Sequence, residues 1–274
     1  MTRWIASLPM YNVTPEHTAS WRSLLSDSLA IVARAFALGD ITIENAPDGE
    51  LMSHWRRNDL LLSQTCGYPY RMLGLANEVH LIATPIFDAP GCEGPRYRSV
   101  LVVSAQAWEC GAKTLEACRG LRAACNGADS HSGMNALRHA VAPLARDGRF
   151  FASVRWTGSH AATLRALASG AADVGAIDCV TFALLHDSHF EPLDGVRTVG
   201  MTASSPGLPL IASRALGEDQ AGALRDALDA ALAADSERAH KLRLRGFARL
   251  TGEAYAEIEA FANTAAQYGY TELR

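Results

Sequence analysis

The chain reads as an α/β protein of two lobes, each a mixed sheet flanked by helices, with a ligand cleft between the lobes. Three observations predict it. Strand-like and helix-like runs alternate in two separate sets, the pattern of βα units feeding a largely parallel sheet. Strands near Tyr97–Ser104 and Arg197–Thr202 join the sets, as expected of a chain that leaves one lobe and later returns to it. At 274 residues, 49% hydrophobic and 20% charged, the protein has ordinary globular composition and enough length for two moderate domains. The expected division is residues 1–100 plus 201–274 for the first lobe and 101–200 for the second.

Arg3 to Leu8 alternates and ends at Pro9, predicting a first strand. Thr14-Pro15-Glu16 places a capping hydroxyl before a proline and opens an amphipathic helix to about Leu38. A strand from Asp40 to Glu44, a short helix around Glu50 to Arg56 and a strand from Asp59 to Ser63 complete a βαβ opening. Val79 to Phe87 and Tyr97 to Ser104 read as strands around a loop of prolines and glycines. The second set runs strand Leu121–Cys125, helix Met134–Leu144, strand Phe150–Trp156, helix Ala161–Ala168 and strand Asp173–Ile177. Arg197–Thr202 and Leu208–Ala212 return as strands, and helices over Asp219–Ala233 and Gly252–Gln267 close the chain.

Charge and composition exclude several roles. With 25 basic and 29 acidic residues, the net charge of −4 shows no basic excess to neutralise a nucleic-acid backbone. No apolar run approaches the ~20 residues of a membrane span, so no insertion is expected. Met1 to Pro9 lacks the basic segment and apolar run of a secretory signal, which predicts the cytoplasm, or the periplasm if a leader has been removed. The six cysteines are scattered and read as reduced thiols, with Cys92 and Cys110 the pair to check first. His186 and His189 sit beside Asp187 in what reads as a solvated acidic loop, and no metal or cofactor is expected.

Chemistry concentrates where strands turn into helices. Thr157-Gly158-Ser159-His160 lies between a predicted strand and helix, as does Asp129-Ser130-His131-Ser132-Gly133, while Ser63-Gln64-Thr65-Cys66-Gly67-Tyr68 closes another strand. The first N–H groups of a helix lack partners and carry the positive end of its dipole, so hydroxyls and an imidazole gathered there suit a small tetrahedral oxyanion. Ser130 and Ser132 also suit helix capping, which uses the same donors. His131, between them, reads as a surface residue or as one that supports the ligand-binding side chains. Ser159 is favoured over Thr157 as a ligand. Gly67 fits either a positive φ or close backbone approach, and Cys66 at a helix start is a weaker nucleophile candidate. Asp178 ends a strand and would face the ligand, Asp173 is a solvated cap, Tyr11 divides between cleft and core, and Trp55 is half-buried surface.

These residues resemble the phosphate, phosphite and phosphonate substrate-binding proteins of ABC transporters, within the type 2 periplasmic-binding fold. The likeness rests on Asp59–Pro69, Ser130–Gly133, Gly158–His160 and Ala168–Asp178, which occur in the family's order. The resemblance implies two lobes closing on an oxyanion. It implies a Ser-x-Ser loop donating hydroxyls and N–H groups, His160 on the phosphonate-like group, and Tyr11 and Tyr68 lining the other lobe. An ABC permease or another signalling partner would receive the bound form. Where some members hold a substrate amine with an acidic residue soon after the Asp178 position, this chain has Cys179-Val180-Thr181, which disfavours aminoalkyl phosphonates. The alternative is a cytoplasmic enzyme on the same fold, a lyase or biosynthetic type acting on a small carboxylate, with Asp178 and His160 as its acid/base pair.

Overall fold

A computed structural model of the chain describes residues 3–274, so the part of the N-terminal reading that falls on Met1 and Thr2 lies outside it. In chain order the elements are β1 (Trp4–Ser7), α1 (Pro15–Phe36), β2 (Ile41–Ile43), α2 (Leu51–Trp55), β3 (Leu60–Gln64), α3 (Gly67–Met72), β4 (Val79–Phe87), β5 (Arg96–Tyr97) and β6 (Ser99–Ser104). There follow α4 (Ala105–Glu109), β7 (Arg122–Cys125), a π-helical turn (His131–Asn135) running into α5 (Ala136–Val141), β8 (Ser153–Trp156), α6 (His160–Ala168), β9 (Val174–Asp178) and α7 (Cys179–Asp187). The remainder is β10 (Val196–Met201), β11 (Ser205–Pro206), β12 (Leu210–Ser213), α8 (Glu218–Ala233), α9 (Ser236–Lys241), β13 (Leu244–Ala248) and α10 (Ala256–Gln267).

The chain folds into two compact units. The first runs through Asp88 and adds Glu93–Pro95 and Pro206–Tyr255; the second holds Ala89–Cys92, Arg96–Ser205 and Ala256–Arg274. Residues 256–274 therefore join the second unit, whereas the sequence reading had put them in the first. The cause is local: the carbonyl of Arg274 accepts from the N–H groups of Phe150 and Phe151, at 2.7 and 3.1 Å, and α10 packs on α5.

The first unit is built on a six-stranded sheet, β13-β4-β12-β3-β1-β2, in which β1 runs parallel to β2 and β3 while β12 and β13 run antiparallel to their neighbours. Thr14 caps α1 as its motif predicts, its hydroxyl accepting from His17 N at 3.3 Å. Trp21, Leu24, Leu25, Leu29 and Val32 recur at helical spacing and give α1 a buried stripe, packed along α8. Trp55 belongs to this core and not to the surface: it is 1% exposed, and its indole N–H donates to the Gln64 carbonyl at 3.1 Å.

The second unit carries a five-stranded sheet, β10-β6-β9-β7-β8. Its centre is β9; β7 is parallel to β8 and β9, and β6 is antiparallel to β9 and β10. The expected Tyr97–Ser104 strand is broken at Arg98 into β5 and β6, and β5 pairs with β11 in a separate two-stranded ribbon. The expected strand from Phe150 starts only at Ser153, because the Phe150 and Phe151 N–H groups are taken by the C-terminal carbonyl. The supposed acidic loop is the end of α7, with His186 in its last turn. Asp173, read as a solvated cap, is instead paired with Arg122 at 2.6 Å.

Candidate functional site

Parallel strands bring their carboxyl ends to one edge of the sheet, and ligands of α/β proteins collect there. In the second unit the ends of β7, β8 and β9 carry Ser130–Gly133, Ser159–His160 and Asp178. The first two loops are zipped together beyond the strands: Thr157 N donates to Cys125 O and Gly158 N to Asn126 O, each at 2.9 Å. Gly158 then turns the chain at φ +86°, a conformation side chains rarely adopt, into the extended Ser159.

Both loops enter helices through serine caps. Ser130 Oγ accepts from Gly133 N at 3.0 Å, and Ser159 Oγ accepts from Ala162 N at 3.1 Å. The helix after β7 starts at His131, earlier than the apolar pattern from Met134 predicts, because its first turn is the π-helical one. Thr157 is not the cap; its hydroxyl donates to Cys125 O at 3.1 Å and lies 2.7 Å from Thr163 Oγ1.

Ser132 and His160 meet across the two loops, Oγ to Nε2 at 2.9 Å. The Ser132 carbonyl accepts from Ser99 Oγ at 2.9 Å, which fixes the turn from beneath. Burial lowers the His160 pKa to about 4, against an opposing effect of the Ala176 carbonyl, so the imidazole is neutral at physiological pH. Its other nitrogen, Nδ1, is buried, and the Ala176 carbonyl is the backbone group that acts on the ring. A serine hydroxyl on a histidine nitrogen is the first half of a nucleophile–base pair, but the ring is acted on by a backbone carbonyl and not by the carboxylate of a catalytic triad.

Gly133 is required by close packing. A Cβ built on it would fall 1.8 Å from Asn126 Oδ1, inside any permitted contact. Asn126 was not singled out by sequence, where an asparagine before Gly127 signals only a turn; its Oδ1 is buried with no hydrogen-bond partner.

His131 corrects the expectation of a surface residue. It is 1% exposed, its Nδ1 accepts from Asn135 Nδ2 at 3.1 Å, and its Nε2 donates to Ser205 Oγ at 2.8 Å. This tautomer follows from Asn135, whose Nδ2 also donates to Ile258 O and whose Oδ1 accepts from Arg138. Phe261 and Tyr97 pack around the ring, and burial holds its pKa at about 3. Its backbone N–H opens the helix while its side chain belongs to the core. Asp178 is buried, and its Oδ1 accepts from Val180 N at 2.8 Å and Thr181 N at 2.9 Å, the cap of α7.

The remaining sequence candidates lie in the first unit. Thr65, Gly67 and Tyr68 follow β3, with Thr65 N donating to Pro209 O at 3.0 Å and Gly67 opening α3. Gly67 has no positive φ, which removes the turn explanation for it. Cys66 is the buried N-cap position of α3, and Tyr68 is half-buried beside it. Tyr11 follows β1, 2% exposed, its ring stacked at 6.5 Å on Trp21 and edge-on at 5.0 Å to Phe87. That is the core half of its two sequence readings.

Comparison with known proteins covers most of the chain. Residues 40–255 match the family model described as ABC transporter, phosphonate, periplasmic substrate-binding protein. No curated protein sequence matches. Among solved structures, PhnD1 from Prochlorococcus marinus in complex with methylphosphonate is similar at 16% identity and TM-score 0.75, covering 97% of this chain and 99% of that one. A binding protein component of an ABC phosphonate transporter from Pseudomonas aeruginosa is similar at 15% identity and TM-score 0.75, with 97% and 87% covered. A Xanthomonas citri protein bound to ATP is similar at 16% identity and TM-score 0.68, with 98% of each chain covered. At such identities the structures establish the fold, and ligands this different on one fold leave the ligand to be argued from the site.

Proposed function

Because the chain belongs to the periplasmic phosphonate substrate-binding family of ABC transporters, we propose that Ser130, Ser132, Ser159 and His160 hold a small phosphorus oxyanion, phosphate, phosphite or a phosphonate, for delivery to an ABC permease. The observation that carries the reading is the Ser132–His160 pair at two serine-capped helix entries. A capping serine spends a lone pair on a backbone N–H and keeps its own proton to donate. Ser130 and Ser159 can therefore donate to an anion without releasing their helices. Ser132 Oγ lies 2.9 Å from His160 Nε2, and in the tautomer whose Nε2–H donates to that oxygen the Ser132 proton is left for a ligand oxygen as well.

All these donors are neutral, and His160 with a pKa of about 4 adds no charge to the empty site. A site of this kind avoids leaving a buried cation unpaired when the ligand departs. The organic group is small and uncharged on this reading, since Cys179, Val180 and Thr181 are buried where an amine-binding carboxylate would be needed. Among the described residues no helix is long and apolar enough to cross a membrane.

The test is calorimetric titration with phosphate, phosphite, methylphosphonate, sulfate and acetate. Phosphorus oxyanions should bind, and Ser132→Ala should weaken them at least about tenfold, the scale of a hydrogen bond to a charged group. The urea midpoint of the empty variant should stay near that of the parent. Binding of acetate with silence toward every phosphorus oxyanion would overturn the assignment.

A further inference from the structure

Outside the proposed site, the second unit contains a thiol pair that no motif marks. Cys92 Sγ lies 3.5 Å from Cys179 Sγ. Cys179 is buried as the first residue of α7, held by its N–H to Arg98 O at 3.1 Å, while Cys92 is half-buried in a turn closed by its N–H to Ala89 O at 2.9 Å. The backbone is pressed onto the pair: a Cβ on Gly91 would fall 3.1 Å from Cys179 Cβ and 3.3 Å from its Sγ, and Gly91 itself sits at φ +99°. The sequence had pointed to Cys110 as the partner of Cys92, but Cys110 is exposed.

We propose that Cys92 and Cys179 are a cross-linking site, joined by a disulfide when the protein meets a small-molecule disulfide oxidant. The sulfurs need approach by only about 1.5 Å to reach bonding distance. The half-buried Cys92 is the sulfur an oxidant can reach. Its thiolate attacks one sulfur of the oxidant, forming a mixed disulfide and releasing the first small thiol. Cys179 then attacks Cys92 Sγ, breaking that bond and releasing the second. The two cysteines lose two electrons, and both protons leave on the two small thiols. Hydrogen bonding to Cys92 and burial raise the Cys179 thiol's pKa, so it acts second, when its neighbour is already activated. A periplasmic family works where disulfides persist. The bond would pin Ala89–Cys92 to the entry of α7, one residue beyond the Asp178 cap.

The experiment treats the whole protein with oxidised or reduced glutathione, blocks free thiols under denaturing conditions, and maps peptides by mass. The expected result is a Cys92–Cys179 linked peptide in the oxidised sample only, with free thiols falling from six to four and Tm rising by at least about 5 °C. Cys92→Ser, at the more exposed and tolerant of the two positions, should abolish the linked peptide while leaving the reduced protein's Tm near the parent value. A glutathione adduct that persists on Cys92, or a full complement of free thiols after oxidation, would overturn the proposal.

Discussion

Gly133 and Asn126 show how one residue pair shapes the site. Since a methyl group at 133 would overlap Asn126 Oδ1, Gly133→Ala must displace the asparagine, the loop, or both. Overpacking of this kind costs about 1–3 kcal/mol, and it should appear as a lower urea midpoint. The steric account makes a stricter demand on the double variant. In an Asn126→Ala background the obstructing oxygen is gone, so Gly133→Ala should cost less than half as much. Equal cost in both backgrounds would assign the penalty to the helix turn instead. The Ser-x-Ser-Gly pattern was legible because capping serines and a glycine announce a helix entry in any protein. Asn126 was not, since its role depends on a contact across the loop, and neither was the burial of His131, whose partners Ser205 and Phe261 are distant in sequence.

Among the elements, α7 separates a structural role from a binding one. Its cap is Asp178 Oδ1, which accepts from two backbone N–H groups. Asp178→Ala leaves both unsatisfied and should cost about 1–2 kcal/mol, whereas Asp178→Asn keeps an acceptor oxygen in place and should cost a few tenths. Unfolding curves for the two variants check this, and titration of Asp178→Asn with phosphate checks the ligand reading. If the carboxylate only caps, affinity survives; a large loss with stability intact would make it a ligand. The same helix explains what sequence pattern could not reveal. Cys179–Asp187 is buried on most sides, so it lacks the polar face that gives α1 and α8 their period. Short α3 and β13, the latter interrupted by Gly246, offer too few residues for any period. The amphipathic helices α1 and α8 fell close to their expected bounds because one face of each meets water, and the buried strands β3, β6 and β9 because they are short apolar runs.

At the scale of the whole molecule, histidines lowered by burial tie stability to pH, His139 among them. Burial lowers His54 and His160 to about 4 and His131 to about 3, all from an ordinary 6.5. Each has a reason to resist protonation: His54 Nε2 is buried without a partner beside Arg57, His131 Nδ1 must accept from Asn135, and His160 is enclosed at the loop entry. The unfolded chain takes up these protons near pH 6.5 while the folded chain does not. Between that pH and about 4 the unfolded state therefore binds more protons, and stability falls as pH falls. The full contribution of the neutral imidazoles is present above pH 6.5, and each can remove up to about 1.4 kcal/mol per pH unit below it. The carboxylates lowered by arginine, Asp59, Asp88 and Asp173, act in the same direction around and below their ordinary 3.8, and Glu16 and Glu116, lowered by backbone hydrogen bonds, do so around and below 4.5. Urea unfolding between pH 7.5 and about 5.5 thus isolates the histidines, and stability should be level down to about 6.5 and then decline. His54→Gln should flatten that decline without touching the anion-binding residues. A level profile across the whole range would mean that these imidazoles gain solvent or partners on protonation, and that the loops at the ends of β7 and β8 open in acid.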